Sequence, residues 1–563
     1  MAIVRLVSCQ PSKFLILASI AAAVALLLVL QISPGHLRIE TDSVLYYKPR
    51  GDDPKHFLPT AEGTGQKPNI VFLLVDDLGY NDVGYHAKNG KSAIRTPNID
   101  ELAEQGVKLE NYYVQPLCSP TRSQLMTGRY QIRMGIQHYL FEHSRPQCLP
   151  LDEVTLPTKL KEVGYSTHAI GKWHLGFCHR ACLPTSRGFD TFFGLYTGGG
   201  DHWYYNRSME SHRHVSGHDL HDDTTEELKN VRQYDGIYSA ELFTSRAQKI
   251  IKQHRRDRPF FLYLAYKNVH FPIQAPQRYK NLYQDSISAN HRRTYAGMVS
   301  AVDESVRNLT RTLKEEGVWD NTIVIFSSDN GGSLTSQGNN WPLRGGKKNL
   351  NEGGVRAVGF VSGPLLPKAV QGTVNAELIH VSDWLPTLVR SVAGGHTNNT
   401  KPLDGYDVWK TISERAASPR TEILHNIDPM QDYESLSLED QALLTSLAGD
   451  HNFDPGICAA IRVGDWKLLT GASGSSKWRR PPESPDVIPA KTCPGSSNAI
   501  QLYNIRYDPR ETCNVARDNK EIVLKLLQRL QYYQSVSVPV DFPATDERAN
   551  PQLHGGFWMP YLD

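Results

Sequence analysis

Four short apolar runs, spaced far apart, constrain this 563-residue chain more than any other feature. They are Asn69–Val75, Ser166–Ile170, Phe260–Tyr266 and Thr322–Ser328, and all read as strands. Helical patterns lie between them. From His291 to Glu316, the residues Tyr295, Met298, Val299, Val302, Val306, Leu309 and Leu313 recur at three- and four-residue steps, which predicts a long helix with one apolar face. Ile237 to Gln253 behaves similarly through Phe243, Ala247, Ile250 and Ile251. Thr96-Pro97 has the cap-then-proline order of a helix start. Strands of this kind alternating with amphipathic helices predict an α/β fold, a mainly parallel sheet sandwiched by helices. Past about residue 415 the rhythm changes. Ala459–Val463, Gly464-Asp465 and Trp466–Thr470 read as a hairpin, Leu502–Ile505 as a strand and Glu521–Tyr533 as a helix. The expected organisation is a main domain over 67–415 and a smaller α+β domain over 416–563.

In open α/β sheets, ligands bind beyond the carboxyl ends of the strands. Asp76 and Asp77 follow the first run, and Gly171, Lys172, Trp173 and His174 follow the second. Lys267 and His270 follow the third; Asp329, Asn330, Gly331 and Gly332 follow the fourth. Polar groups therefore gather at the one edge where a site is expected. Asp76, Asp77, Asp329 and Asn330 offer only oxygen ligands, which suits calcium or magnesium better than zinc. Arg122, Lys172, His174, His270 and Lys347 are cationic or can become so. A hard cation among such groups implies an anionic ligand with terminal oxygens. The formal net charge of the whole chain is only +2, so this positive character is local and no nucleic-acid-binding surface is implied. The histidines His202, His212, His214, His218 and His221 lack a regular ligand spacing and read as a polar surface loop.

The uncharged apolar run Phe14–Leu30, preceded by Arg5 and Lys13, marks residues 1–31 as a signal peptide or an uncleaved signal anchor. Residues 32–66 read as a connecting segment. In both cases the rest of the chain faces the lumen or the exterior, with an N-terminal membrane anchor in the second. The sequons at Asn206, Asn308 and Asn398 fit that compartment. Apart from Cys9 and Cys118, six cysteines remain, enough for three disulfides in fifteen connectivities. Cys148 with Cys182, and Cys458 with Cys493, are the candidate pairs.

Cys118-Ser-Pro-Thr-Arg122, continuing Ser123-Gln-Leu-Met-Thr-Gly-Arg129, is an uncommon context for a cysteine. It suggests a role other than disulfide or thiol nucleophile. The run resembles the signature of the sulfatase family, in which the formylglycine-generating enzyme oxidises such a cysteine to an aldehyde in the endoplasmic reticulum. Gly164-Tyr-Ser-Thr-His-Ala-Ile-Gly-Lys-Trp-His174, Asn69-Ile-Val-Phe-Leu-Leu-Val-Asp-Asp-Leu-Gly79, Val269-His270 and Ser328-Asp-Asn-Gly-Gly332 carry the same resemblance. The runs Asn339–Gly345, Asn351–Arg356 and Ala460–Gly471 are similar to the arylsulfatase B-like (N-acetylgalactosamine-4-sulfatase-like) branch.

The resemblance implies an alkaline-phosphatase-like α/β domain and one calcium ion held by Asp76, Asp77, Asp329 and Asn330, with residue 118 completing the shell. It implies that Arg122 supports the formylglycine hydrate, that Lys172 and Lys347 grip sulfate oxygens, that His174 positions the hydrate, and that His270 is the acid for the leaving alcohol. The implied substrate is a sulfated carbohydrate such as 4-sulfated N-acetylgalactosamine in a glycosaminoglycan, and the implied location is lysosomal or secreted. Lys267-Asn268, Gly346 and the stretch Leu436–Gly449, which reads as a variable loop, depart from the branch pattern. Two other readings fit the same architecture. One is a phosphatase or phosphodiesterase, which the oxygen-rich ligand set and Cys118 oppose. The other is a catalytically inactive protein that binds sulfated glycans, which the full set of candidate residues opposes.

Overall fold

The structure is a computed structural model, which describes residues 66–87, 93–209, 214–431, 438–446, 452–471, 477–482 and 499–563. The N-terminal apolar run and its signal or anchor role lie outside the described residues, as does His212. No described helix is long and apolar enough to cross a membrane.

A nine-stranded sheet forms the centre. Its order is Thr373–Asn375, Val107–Leu109, Gly359–Ser362, Thr322–Ser328, Asn69–Val75, Phe260–Tyr266, Ser166–Lys172, Thr191–Leu195 and His221–Thr224. The four strands expected from sequence lie side by side in its middle, all parallel. Antiparallel pairs appear only toward the flanks, at Gly359–Ser362 and at His221–Thr224. The strand Asn69–Val75 shows why its sequence is apolar throughout: both of its faces are covered. Ile70, Phe72 and Leu74 enter one core with Leu125, Trp384 and Leu388. Val71, Leu73 and Val75 enter the other with Tyr295, Val299 and Val302 of the helix Asn290–Glu315. With both faces filled, the open ends of the strands are where function can sit.

The C-terminal part builds a four-stranded antiparallel sheet from Glu422–Asp428, Cys458–Val463, Trp466–Thr470 and Ile500–Asn504. The helix Lys520–Ser535 covers it with Val523, Leu526, Leu527 and Leu530. Gly464, at φ 55°, makes the hairpin turn. Within the stretch read as a variable loop, Leu438–Ser446 is helical. The tail then runs back along the main part of the chain, with backbone bonds from Val538 to Ile132 (2.8 Å), Asp541 to Gly135 (2.8 Å) and Tyr561 to Cys178 (3.0 Å).

A buried ionic cluster joins the C-terminal sheet to the segment that follows Lys347. Lys467 Nζ lies 2.9 Å from Glu352 Oε1 and 3.1 Å from Glu511 Oε1, and all three side chains are sealed from solvent. The Tyr113 hydroxyl donates to Glu352 at 2.8 Å, and the Glu352 N–H donates to Glu511 at 2.9 Å. Burial opposes ionisation of Glu352, but Lys467 and Arg356 outweigh it and hold that carboxyl below its ordinary range. Glu511 stands above its own range, from burial first.

The disulfide Cys148–Cys182 is present. The expected Cys458–Cys493 pair is not: Cys458 is a free thiol. It is packed among Leu350, Ala460, Leu469, Tyr503 and Ile505. Cys513 is disulfide-bonded to a partner outside the described residues, and Cys178 is free.

Candidate functional site

Cys118 is the first residue of the helix Cys118–Thr127, every residue of which is buried. The helix N-terminus, with its unpaired N–H groups and positive dipole end, points at the carboxyl edge of the central strands. The Cys118 thiol lies 3.4 Å from Asp76 Oδ1 and 3.3 Å from Asn330 Oδ1, and Lys347 Nζ lies 3.5 Å from the sulfur. Burial, then the Asp329 and Asp76 charges, push the thiol far above its ordinary range. Such a seat disfavours the thiolate, the reactive form of a cysteine.

The ligand atoms of Asp76, Asp77, Cys118 and Asp329 all fall within 4.8 Å of one another. Asp77 has φ 59°, a left-handed turn just past the strand that places its side chain beside that of Asp76. Asn330 Nδ2 donates to Asp77 Oδ1 at 2.8 Å, and the Asp77 N–H donates to Asp329 at 3.2 Å. Asp76 is pushed up to about 7 by burial and then by Asp329. Burial acts on Asp77 too, but Lys347 and His270 prevail and hold its carboxyl low. Apart from the Cys118 sulfur these are oxygen donors, crowded and buried, with the amide oxygen of Asn330 beside them. The set fits a hard divalent cation.

Cations close the site. Lys172 Nζ bonds Asp76 at 2.7 Å and Lys347 Nζ bonds Asp77 at 2.6 Å. Arg122 donates to Asp329 through Nη2 at 2.8 Å and Nε at 3.2 Å, and to the Lys172 carbonyl at 2.7 Å. Three carboxylates are thus balanced by three permanent cations. A divalent ion added to this set leaves net positive charge, which suits an anionic ester such as a sulfate or phosphate.

His174 sits at φ 56° with Nδ1 buried and unpartnered. Burial, then Lys172 and Arg122, hold its ring well below the ordinary imidazole range. His270 is the more open of the two: its Nδ1 is bonded to the Phe271 carbonyl at 2.7 Å, and Nε2 faces Asp77 at 4.0 Å. All ten residues singled out from the sequence are thus brought to one place.

Several neighbours escaped sequence reasoning. The Tyr263 hydroxyl lies 3.4 Å from Arg122 Nη1, although Tyr263 reads as an ordinary core residue in mid-strand. A Cβ on Gly198 would stand 2.3 Å from His174 Nε2, so this glycine makes room for the ring. Lys267, already read from the sequence as one of the polar residues past the third strand, is wholly buried and ties Gly200 and Asp201 through their carbonyls at 2.8 and 2.5 Å. The glycine run Gly198–Gly200 after the strand Thr191–Leu195 was the available signal for this wall. The surface-loop reading of the histidines fails for His202, His218 and His221. All are buried, bonded to Ser239, Asp235 and Asp219 respectively.

A mostly parallel sheet with this oxygen-and-cation cluster at its carboxyl edge defines a class of hydrolases acting on anionic esters. The sulfatase family matches residues 68–394, and the chain belongs to that family, as a sulfuric ester hydrolase. It is 48% identical over 505 residues to arylsulfatase J of Mus musculus, covering 89% of this chain and 81% of that one. The N-acetylgalactosamine-6-sulfatase of Mus musculus is 34% identical over 62% of this chain and 67% of its own length. Among solved structures, Ps i-CgsB in complex with k-i-k-neocarrahexaose superposes with TM-score 0.67 at 28% identity, covering 87% of this chain and 98% of that one.

Proposed function

We propose that this protein is a calcium-dependent sulfatase of the secretory or lysosomal compartment. Its substrate is sulfated N-acetylgalactosamine in glycosaminoglycans, and it acts through a formylglycine made from Cys118 by the formylglycine-generating enzyme. The observation that carries the proposal is the seat of Cys118: a helix N-terminus with Asp76, Asn330 and Lys347 all within 3.5 Å of the sulfur. The disulfide Cys148–Cys182 supports an oxidising compartment. The exposed sequon residues Asn206 and Asn398 are open to glycosylation.

Asp76, Asp77, Asp329 and Asn330 would hold the calcium ion, which supplies charge stabilisation at the sulfate oxygens. Hydrated formylglycine supplies one hydroxyl to accept the sulfuryl group and a second to drive its release. Arg122, fixed by Asp329 and by the Lys172 carbonyl, keeps a permanent positive charge beside residue 118. Lys172 and Lys347 are already oriented by Asp76 and Asp77, so they can meet the charge that develops on the sulfuryl oxygens without reorganising. His174, whose buried Nδ1 has no partner among the described residues, would position the hydrate at residue 118. His270, with Nδ1 committed to a carbonyl, would exchange its proton at Nε2, the ring nitrogen that faces Asp77.

The defining test compares an aryl sulfate with the matching aryl phosphate before and after chelation. Sulfate turnover should dominate, disappear on removal of divalent metal and return with calcium. Preferred phosphate turnover, or turnover indifferent to chelation, would refute the proposal. The role of His270 has its own signature. His270→Gln should slow a sugar sulfate by on the order of 10²-fold, but an activated aryl sulfate only several-fold, because a good leaving group needs no acid. Equal losses on both substrates would assign His270 to binding.

A further inference from the structure

Beside the reaction centre lies a cavity of about 620 Å³, in the size range of small-molecule sites. Two of its wall residues are peptide-bonded to the centre: Leu117 precedes Cys118, and Lys348 follows Lys347. The Lys348 N–H donates to the Pro116 carbonyl at 2.8 Å, which locks these two walls together. Tyr139 and Phe542 form an aromatic side, with their rings edge to face at 6.3 Å. The buried Asp428 faces them from the C-terminal sheet; its carboxylate meets His138 Nδ1 at 3.0 Å and the Met430 N–H at 3.0 Å.

A narrow recess of about 30 Å³ continues from the same cleft, room for one hydroxyl or water. Gln115 and Gln137 line it. They are 1% and 4% exposed, and each has one amide atom without a partner: Nε2 of Gln115, a donor, and Oε1 of Gln137, an acceptor. A buried donor and acceptor left open in one recess cost stability unless something polar enters. Aromatic walls, a fixed carboxylate and unfilled amide groups together describe a site for a polyhydroxylated ring.

The charges of the cleft are unequal in their freedom. Glu142 is paired with Arg145, and Asp428 is engaged as described. Lys348 is exposed and, among the described residues, has no carboxylate partner; its Nζ stands 5.6 Å from the Tyr139 ring centre.

We infer that this cleft receives the sugar unit joined to the sulfated one, and that Lys348 selects a unit bearing a carboxylate. The inference rests on the sulfatase reading of the adjoining centre and adds the identity of the neighbouring sugar. The test uses two defined disaccharides with the same sulfated unit. In one the neighbour is a uronic acid; in the other its carboxyl is reduced to the alcohol. The native enzyme should favour the acid about ten-fold in kcat/KM, the scale of one charge-assisted contact, with the difference in KM. Lys348→Met should bring that ratio to about one, and Lys348→Arg should keep most of it. The ratio is internal to each variant, so differences in folded fraction cancel. A native ratio near one, or a ratio preserved in Lys348→Met, would overturn the inference. Hydrolysis of an aryl sulfate with neither disaccharide accepted would overturn it while leaving the sulfatase reading intact. Failure on every sulfate ester would overturn both.

Discussion

Replacing Cys118 with serine is expected to give a protein that takes up one sulfuryl group and then stops. The serine hydroxyl would occupy the place of the sulfur, beside Asn330, Asp76 and Lys347. It could accept the group with Lys172 and Lys347 in their present positions. It has no second hydroxyl, so nothing drives the ester apart again. Steady-state turnover should fall on the order of 10⁴-fold or more, the scale seen when an essential nucleophile is removed. Intact-mass measurement after exposure to an aryl sulfate should show one added sulfuryl group per chain, with a matching burst of phenol. Sustained turnover by this variant would contradict the proposed chemistry.

The second large effect concerns stability. Lys467→Met should destabilise the protein by about 3–5 kcal/mol, because it leaves Glu352 and Glu511 buried against each other with their shared cation gone. Denaturant or thermal unfolding would read this directly. The deficit should depend on pH with a definite sign. Without the lysine, both carboxyls are pushed above their unfolded values. The folded variant then retains protons that the unfolded chain gives up, and it loses stability as pH rises through the raised values. The gap from the native protein should therefore widen from about pH 4 to pH 7. Adding Glu511→Gln should recover part of the loss by removing one stranded charge. A loss below about 1 kcal/mol would mean that the cluster is solvated or rearranged. Because Glu352 begins the short helix Glu352–Val355, close in sequence to Lys347, catalysis should weaken along with stability.

The residues that were readable in the sequence are those whose role is set locally or by the sheet edge. Phe260–Tyr266 and Thr322–Ser328 span the same residues in the structure, and the helix expected at His291–Glu316 lies at Asn290–Glu315. These segments are long, continuously apolar or strongly periodic. Asp76, Lys172, His270 and Asp329 were legible because a polar group just past an apolar strand has one natural place to go. The short strands Val107–Leu109, Thr373–Asn375 and His221–Thr224 were not, since only their tertiary neighbours make them pair. Disulfide choice failed at Cys458 for the same reason: its tertiary neighbours, among them Leu350, Leu469 and Ile505, leave it a free thiol. The buried histidines were misread because Asp219, Asp235 and Ser239 satisfy them from positions that no spacing rule reveals. Tyr263 belongs to this group too, its hydroxyl reaching Arg122 from far away in sequence.

The complete burial of Cys118–Thr127 bears on the life history of the protein. No macromolecule could read that helix once the surrounding sheet has closed over it, so any processing of its cysteine must occur while the nascent polypeptide is still extended. On the proposed chemistry, a copy that collapses too early would be compact and permanently idle. The fraction of competent enzyme in a cell would then reflect a race between compaction and modification, decided before the chain leaves its site of synthesis.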